Sequence, residues 1–203
     1  MKLYSSIGPN PRLVRLFAAA KGVSLPLVEV DIMAGENRQP DYLTINPTGT
    51  TPVLELDDGS RIAETTAICE YLEEICPEPA LIGITAQQRA HTRMWWRRVD
   101  QMIVQPMTAG FRGAEGLELF QSRVTCYPEA AQGYKQEARE GWIWLETQVK
   151  GNDFICGQRR TGVDLLLLCF ADFGDQTGQP IPEECRYLHS WLIKMREWCA
   201  GIE

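Results

Sequence analysis

The first stretch with residue types suited to chemistry is Asn46-Pro-Thr-Gly-Thr-Thr-Pro52-Val-Leu. A proline that enters a strand after a polar turn is a candidate for a cis peptide bond, which is kept only where the turn needs it. A cis bond at Pro52 would turn the N–H and C=O of Thr51 outward from the sheet edge. Those groups could pair with the backbone of an extended, peptide-like ligand, as an added strand does. The alternative is a plain tight turn that binds nothing.

A second stretch, Ile62-Ala-Glu64-Thr65-Thr66-Ala67-Ile68, places an acidic residue and two hydroxyls at the predicted start of a helix. The free N–H groups and the dipole of a helix N-terminus attract anions. Glu64 could accept a hydrogen bond from a ligand ammonium, while Thr65 and the helix N-terminus bind its carboxylate. Together they would recognise the zwitterionic end of an α-amino acid. In the alternative interpretation, Glu64 and Thr65 only cap the helix.

The two stretches occur together in the pattern NPxGxxPxLxxDDGxxIxExxAIxxYL, which resembles that of cytosolic glutathione S-transferases. A further element, Gly157-Gln-Arg-Arg-Thr161-Gly-Val-Asp164, is similar to the family's Gxxx(S/T)xxD sequence. It predicts a capping box, with Thr161 as the N-cap and Asp164 as its reciprocal partner. The resemblance covers nearly the whole chain. It implies an α/β N-terminal thioredoxin-like domain, an all-α C-terminal domain, glutathione as co-substrate without a metal, and a homodimer.

The resemblance also implies a role for each residue that matches the family. The backbone of Thr51 and Pro52 would pair with the cysteinyl part of glutathione. Glu64 and Thr65 would hold its γ-glutamyl group. The residues expected at the glycine carboxylate are Gln39, with Arg38 or Asn37 beside it.

The chain departs from the family at the group that activates the thiol, whose pKa when free is about 8.5. The family usually places a Tyr or Ser hydroxyl after the first strand, but Gly8 stands where the serine would be, as in a fungal and bacterial branch. Three substitutes remain open. They are the side-chain amide of Asn10, which could equally be the N-cap of the first helix, the hydroxyl of Ser6, and the backbone N–H groups around Gly8.

The predicted long helix of the second domain carries further candidates. Phe111 and Arg112, with Thr108, could approach the sulfur from the end of this helix, and the cation of Arg112 would favour a thiolate. A small hydrophobic electrophile would be bound by Phe111 together with Met102, Met107 and Tyr127. Asp100 could reach the partner subunit's ligand, although an ion pair with Arg97 or Arg93 explains it as well.

These residues favour a glutathione transferase that attacks hydrophobic electrophiles with the glutathione thiolate, a detoxification chemistry. Thiol–disulfide chemistry is disfavoured because the first loop contains no cysteine. The remaining alternative is a non-catalytic glutathione-binding or assembly module of the same fold.

The elements that must position the first group of residues follow a βαβ and then a ββα order. Strands are predicted over residues 2–5, 25–32, 52–56 and 61–63. One helix is expected after Asn10, with Pro11 at its first position and Gly22 beyond its end. Another is expected over about 65–75, with Ile68, Tyr71, Leu72 and Ile75 on its apolar face. Residues 34–39 are a polar loop. This glutathione-binding domain should span residues 1–77.

From residue 85 onward the patterns are helical only, which predicts a second domain over residues 85–203. A long helix over about 87–110 should kink near Pro106. Further helices are expected over 134–149 and 187–198. Residues 165–171 are apolar on every side, so their helix should lie at the centre of this domain.

Composition excludes several classes of protein. The apolar fraction of 44% and the charged fraction of 23% are ordinary for a globular chain. No apolar run is long enough to span a membrane, and no signal peptide is visible, so a cytoplasmic location is expected. The net charge of −7 argues against nucleic acid. The seven scattered cysteines and two histidines fit neither a disulfide framework nor a zinc site.

Overall fold

A computed structural model describes residues 1–202 of the chain. The chain divides into two compact units, one of residues 1–82 with the last described residues, 201 and 202, and one of residues 83–200. The first unit contains a four-stranded sheet with helices. The second consists of helices with one isolated β-bridge, between Phe154 and Gly157. The predicted α/β domain followed by an all-helical domain is therefore confirmed.

The sheet of the first unit has the strand order β2-β1-β3-β4. Strands β1 and β2 are parallel, whereas β1 with β3 and β3 with β4 are antiparallel. The elements are β1 (Lys2–Ser5), α1 (Pro9–Ala20), β2 (Leu27–Glu29), a 3-10 turn (Glu36–Arg38), α2 (Pro40–Ile45), β3 (Val53–Glu55), β4 (Arg61–Ala63) and α3 (Thr65–Ile75).

Strand β2 is shorter than the predicted 25–32, because the chain leaves the sheet at Asp31. The N–H of Val30 still donates to the carbonyl of Ser5 at 2.8 Å. The carboxylate of Asp31 then accepts from the N–H of Ala34 at 2.9 Å, and Glu36 accepts from the N–H of Asp31 at 2.7 Å. These local bonds form a turn in place of the last predicted strand residues.

Helix α1 begins two residues earlier than predicted. Gly8 is its N-cap residue, with φ of 113° and ψ of 169°, and Pro9 is its first helical residue. The expectation that Asn10 is the N-cap and Pro11 the first helical residue is wrong. A φ of 113° is open to glycine and strained for other residues, so the backbone angle requires Gly8 here.

Helix α3 has the predicted bounds but a different buried face. Ile68 and Leu72 are fully buried, as expected, whereas Ile75 is 47% exposed. Cys69 and Glu73 are buried instead. The difference arises because Glu73 has a buried cationic partner, so a charged residue can occupy the inner face.

The buried cation is Lys21, at the end of α1, whose Nζ lies 2.6 Å from Glu73 Oε2. Both side chains are almost completely inaccessible to solvent. Glu73 also accepts from the N–H groups of Leu81 and Ile82, at 3.1 and 2.8 Å, and Lys21 donates to the carbonyl of Pro79 at 2.7 Å. The bonds from this ion pair to Pro79, Leu81 and Ile82 fix the chain after α3 to the first unit. Removal of either partner would leave an uncompensated buried charge.

The second unit begins with a long helix that changes its hydrogen-bond pattern before Pro106. Its elements are α4 (Ala86–Val99), a π-helical segment (Asp100–Val104), α5 (Gln105–Gly113), α6 (Leu117–Phe120), a 3-10 turn (Pro128–Ala130), α7 (Ala131–Val149), α8 (Gly162–Gln176) and α9 (Arg186–Cys199). Proline has no N–H, so Pro106 cannot donate to the carbonyl of Met102. The structure has a π-helical segment just before this proline, and the kink near Pro106 stays a prediction.

Helix α8 is buried along its middle, where residues 165–171 are at most 2% exposed. The predicted capping box opens it. The carboxylate of Asp164 accepts from the N–H of Thr161 at 2.8 Å, the N–H of Ile155 at 3.0 Å and the indole N–H of Trp191 at 3.0 Å. Burial raises the pKa of Asp164, and these bonds oppose that rise. Asp164 thus connects α8, α9 and the preceding loop.

Arg160 precedes the capping box, where a hydrophobic staple residue is usual. Its guanidinium carbon lies 4.0 Å from the ring centre of Trp198 and 4.9 Å from that of Phe154. Stacking on the two rings replaces the apolar staple contact. No helix described between residues 1 and 202 is long and apolar enough to cross a membrane.

The close contact of α7 with the π-helical segment gives a prediction about stability. A Cβ on Gly141 would lie 2.2 Å from the carbonyl oxygen of Met102, so Gly141→Ala must displace backbone. We expect it to lower the free energy of unfolding by about 1–3 kcal/mol, as overpacked cores do. Urea denaturation of the full chain measures the change.

The matched control is Gly133→Ala on the same helix, where an added Cβ meets no atom within 4 Å. This variant should be neutral or more stable by up to about 1 kcal/mol, because alanine favours the helix. A Gly141→Ala variant as stable as Gly133→Ala would contradict the close approach of α7 to Met102.

Candidate functional site

The turn ahead of β3 is held by two side chains that bind the same carbonyl group. The hydroxyl of Tyr42 donates to the carbonyl of Thr50 at 2.7 Å, and the amide of Asn46 donates to it at 2.9 Å. Both residues are buried. Burial raises the pKa of Tyr42 to about 12, so its hydroxyl stays a neutral donor at physiological pH. These two bonds fix the direction in which the chain enters the next residue, Thr51.

Two residues of the 3-10 turn bind the preceding carbonyls. The amide of Asn37 donates to the carbonyl of Gly49 at 2.7 Å, and Arg38 donates to the carbonyl of Thr48 at 3.2 Å. Asn37 is only 7% exposed. It therefore supports the turn from inside, and its expected contact with a ligand carboxylate stays a prediction. Arg38 is half-buried, and Gln39 is exposed at the N-cap position of α2 without a side-chain cap bond.

The Thr51–Pro52 peptide bond is cis, as predicted. Strand β3 starts only at Val53. Within residues 1–202, no protein group hydrogen-bonds to the backbone N–H or C=O of Thr51. Thr51 is half-buried and Pro52 is buried.

The side chain of Thr51 contacts the loop after β1. Its hydroxyl oxygen lies 2.6 Å from that of Ser6, which is 3% exposed. The Ser6 hydroxyl also lies 3.1 Å from the carbonyl oxygen of Ile7. Arg15 on α1 donates to the hydroxyl of Ser5 at 2.6 Å and to the carbonyl of Ser6 at 3.3 Å. These bonds hold the loop against α1, close in the chain to the exposed residues Gly8 and Asn10.

Glu64 has a strained backbone, with φ of 69° and ψ of 125°, and is the one non-glycine residue with positive φ among residues 1–202. Such a conformation costs about 1–3 kcal/mol and persists where the surroundings impose it, frequently at functional sites. Glu64 occupies the N-cap position of α3, and Thr65 is the first helical residue. The Glu64 side chain is exposed and makes no cap bond, so the interpretation of Glu64 as a side-chain cap is wrong.

Sheet register places the two predicted segments side by side. Val53 on β3 is opposite Ala63 on β4 in an antiparallel pair. The next residues outward, Pro52 and Glu64, therefore emerge at the same end of the hairpin. Thr51 can present its open backbone next to the carboxylate of Glu64 and the N-terminus of α3. The structure thus brings together residues that the sequence separates by a hairpin.

Tyr4 on β1 carries another hydroxyl of the first strand. Tyr4 is 8% exposed, and its hydroxyl donates to Glu55 at 3.1 Å. Its ring packs edge-on against Tyr42, with 6.4 Å between ring centres. Tyr4 therefore belongs to the core, as its position in β1 indicates.

Phe111 and Arg112 lie in the second unit, within a cluster of aromatic rings. The ring of Phe111 is 4.9 Å from that of Phe173 and 6.0 Å from that of Phe120. The guanidinium carbon of Arg112 lies 5.3 Å from the centre of the Phe120 ring. The hydroxyl of Thr108 donates to the carbonyl of Val104 at 2.7 Å, within its own helix. Met107 is fully buried and Tyr127 is 52% exposed.

Asp100, at the start of the π-helical segment, has partners on its own helix. Its carboxylate accepts from Arg97 at 3.0 Å and from the side-chain amide of Gln105 at 2.8 Å. The surface ion pair that sequence analysis offered as an alternative is therefore present.

A groove of about 510 Å³ opens elsewhere in the second unit, lined by residues such as Met107, Trp142 and Ile181. Phe111 and Arg112 do not line it. Of the residues predicted to bind the electrophile, this groove is therefore lined by Met107 but not by Phe111.

Comparison with known proteins identifies the family. The sequence model described as "Glutathione S-transferase, N-terminal domain" matches residues 7–75. Glutathione S-transferase 2 of Saccharomyces cerevisiae is 31% identical over 195 residues, covering 94% of this chain and 82% of that protein. The chain belongs to the glutathione S-transferase family.

Two further relatives agree with this assignment. Glutathione S-transferase F10 of Arabidopsis thaliana is 36% identical over 210 residues, covering 100% of this chain and 95% of that protein. The crystal structure of Gtt2 from Saccharomyces cerevisiae superimposes with a TM-score of 0.90 at 29% identity, covering 97% of this chain and 96% of that one. The predicted resemblance, the thioredoxin-like N-terminal fold and the assignment as a glutathione transferase are confirmed.

Two residues that hold these loops, Tyr42 and Arg15, were not predicted from the sequence. Tyr42 lies in α2, a helix of six residues that is too short to show a clear apolar period. Arg15, which donates to Ser5 and Ser6, is separated from the first loop by the first half of α1, so no local pattern indicated it. The turn between α2 and β3 contains three consecutive carbonyls, of Thr48, Gly49 and Thr50, outside any helix or strand. Such carbonyls are a signal that side-chain donors must be supplied from nearby.

The strain at Glu64 gives a second prediction. Glu64→Gly relieves the backbone strain, and we expect a gain of about 1 kcal/mol in the free energy of unfolding after the entropy cost of glycine. Glu64→Gln retains the strained backbone and should stay within about 0.5 kcal/mol of wild type. Urea denaturation of both variants measures the difference. A glycine variant no more stable than the glutamine variant would contradict the assigned strain.

Proposed function

We propose that this protein activates the thiol of glutathione and transfers it to a small hydrophobic electrophile. The open backbone of Thr51 carries the proposal, because it offers one donor and one acceptor to an extended ligand beside the carboxylate of Glu64. Glutathione has a peptide backbone in its cysteinyl part and a free α-amino acid in its γ-glutamyl part. These two features complement the two neighbouring groups.

The binding mode follows from the chemistry of each group. The cysteinyl N–H and C=O pair with Thr51 above Pro52, as an added strand pairs with a sheet edge. The γ-glutamyl ammonium donates to Glu64, and its carboxylate meets Thr65 and the N-terminus of α3. The glycine carboxylate lies toward Gln39. The half-buried cation of Arg38 supports this last contact.

The reaction requires the thiolate as nucleophile. The thiol gives its proton to solvent, the sulfur forms a bond to the electrophilic carbon, and the leaving group departs with the electron pair of its own bond. Groups that donate to the sulfur favour the thiolate. Three of them have been predicted: Ser6, the amide of Asn10, and the N–H groups around Gly8 at the start of α1.

The second domain, predicted over residues 85–203, is proposed to bind the electrophile through Phe111 and Arg112. The aromatic surroundings of Phe111 suit an apolar substrate. A homodimer, a contribution of Asp100 to the partner's site, a cytoplasmic location and a role in detoxification stay predictions. The glutathione-binding domain is proposed to span residues 1–77.

A non-catalytic glutathione-binding or assembly module is the second candidate. The observation that favours it is the glycine at position 8, where the family usually has a serine hydroxyl. Such a module would bind glutathione at the same groups without lowering the pKa of its thiol.

The test uses the full chain with glutathione and 1-chloro-2,4-dinitrobenzene. We expect glutathione to bind and to be conjugated. Glu64→Gln should weaken glutathione binding about 10–100-fold, since a hydrogen bond to a charged group contributes about 1.5–3 kcal/mol. Isothermal titration calorimetry measures the affinity, and absorbance of the conjugate measures the rate.

Glu74→Gln is the matched control, because Glu74 is exposed on the same helix, α3. It should bind glutathione as wild type does. Binding without conjugation in wild type would favour the non-catalytic module. Absence of binding, or equal losses in the two variants, would contradict the proposed site.

A further inference from the structure

Ser6 and Thr51 form a pair of hydroxyl groups that must share two protons. Their oxygens are 2.6 Å apart, and one proton lies between them. If Thr51 donates to Ser6, the Ser6 proton goes to the carbonyl of Ile7, 3.1 Å away, and no hydroxyl donor remains. If Ser6 donates to Thr51, the Thr51 proton is free for another acceptor. An arriving anion selects the second arrangement, because only that one offers it a donor.

The two residues differ in what they can reach. Ser6 is 3% exposed, and Arg15 holds its carbonyl, so its hydroxyl is enclosed. Thr51 is half-buried and carries the open backbone groups. Of the pair, Thr51 is the one that can touch a ligand.

Strand geometry determines where the ligand side chain lies. Residues directly opposite each other in an antiparallel pair have their side chains on the same face, with Cβ atoms about 4.5–5.5 Å apart. If the cysteinyl residue of glutathione pairs with Thr51, its sulfur and the Thr51 hydroxyl project from the same face. The separation of the two Cβ atoms is suited to a hydrogen bond between the groups they carry.

We propose that the Thr51 hydroxyl donates a hydrogen bond to the sulfur of bound glutathione, and that Ser6 is the positioning residue that directs the Thr51 proton outward. This inference rests on the proposed function. Thr51 is thus the catalytic residue that takes the place of the serine absent at Gly8.

No bond to Thr51 is made or broken in this step. The glutathione thiol releases its proton to solvent, and the electron pair stays on the sulfur. The Thr51 O–H donates to that sulfur, while the Ser6 O–H donates to the Thr51 oxygen. Each hydrogen bond polarises the next, so the chain of two hydroxyls is a stronger donor than Thr51 alone.

The substitutions that test the pair leave no buried polar group without a partner. Thr51→Val preserves the shape and the backbone, and Ser6 can still donate to Ile7. Thr51→Ser keeps a hydroxyl and is the matched control. In Ser6→Ala, the half-buried Thr51 hydroxyl can bind water. Binding of S-methylglutathione, a probe that carries no thiolate, shows separately whether each variant still holds the ligand.

The measurement is the pKa of the bound glutathione thiol, from thiolate absorbance near 240 nm as a function of pH. Thr51→Val should raise this pKa by about 1–2 pH units, as expected for loss of one hydrogen bond to an anion. Thr51→Ser should restore most of the wild-type value. Ser6→Ala should raise the pKa by a smaller amount, and should add nothing in the Thr51→Val background, because it acts through Thr51.

Two results would overturn the inference. One is a wild-type thiol pKa in Thr51→Val, and the other is an effect of Ser6→Ala that persists fully without the Thr51 hydroxyl. If Thr51→Val does not bind S-methylglutathione, Ser6→Ala decides, because it leaves residue 51 unchanged. If either result is found while the wild-type protein conjugates glutathione normally, the proposed function still stands. Loss of glutathione binding in wild type contradicts the proposed function itself.

Discussion

Hydrogen bonds from Tyr42 and Asn46 to the carbonyl of Thr50 determine how the chain enters β3. Together with the bonds from the preceding 3-10 turn, they satisfy three consecutive carbonyls and leave the next peptide group open. That group belongs to Thr51, and the rest of the first unit supports its position. Pro52 is buried below it, and the sheet continues from Val53. An unpaired backbone at the end of a strand is normally a liability, and here it is proposed to pair with a ligand.

The same end of the hairpin carries a second feature that a folded chain does not need for stability. Glu64 keeps a strained backbone and an exposed carboxylate at the start of α3. A side-chain cap would stabilise the helix, but the carboxylate does not supply one. The chain therefore gives up local stability at the residue proposed to bind the ligand ammonium. Ser6 and Thr51 extend this arrangement, since the enclosed hydroxyl of Ser6 is proposed to direct the proton of the half-buried Thr51 toward the same ligand.

The second unit depends on contacts of a different kind. Asp164 binds N–H donors of Ile155, Thr161 and Trp191, so one buried carboxylate joins the centre of the unit. Gly141 allows α7 to approach the carbonyl of Met102, which Pro106 cannot satisfy. The capping sequence before α8 and Pro106 are therefore recognisable in the sequence of this domain, whereas its surface residues show no such pattern.

The sequence by itself determined the features that depend on neighbours along the chain. The bounds of α3, the capping box before α8 and the cis bond at Pro52 were all predictable, because each follows from a short run of residue types. The tertiary structure alone decided which groups remain free. The Ser6 and Thr51 hydroxyls are 45 positions apart, and the fold brings their oxygens to 2.6 Å. No local pattern reports such a contact, because it arises only when β1 and β3 pair in register.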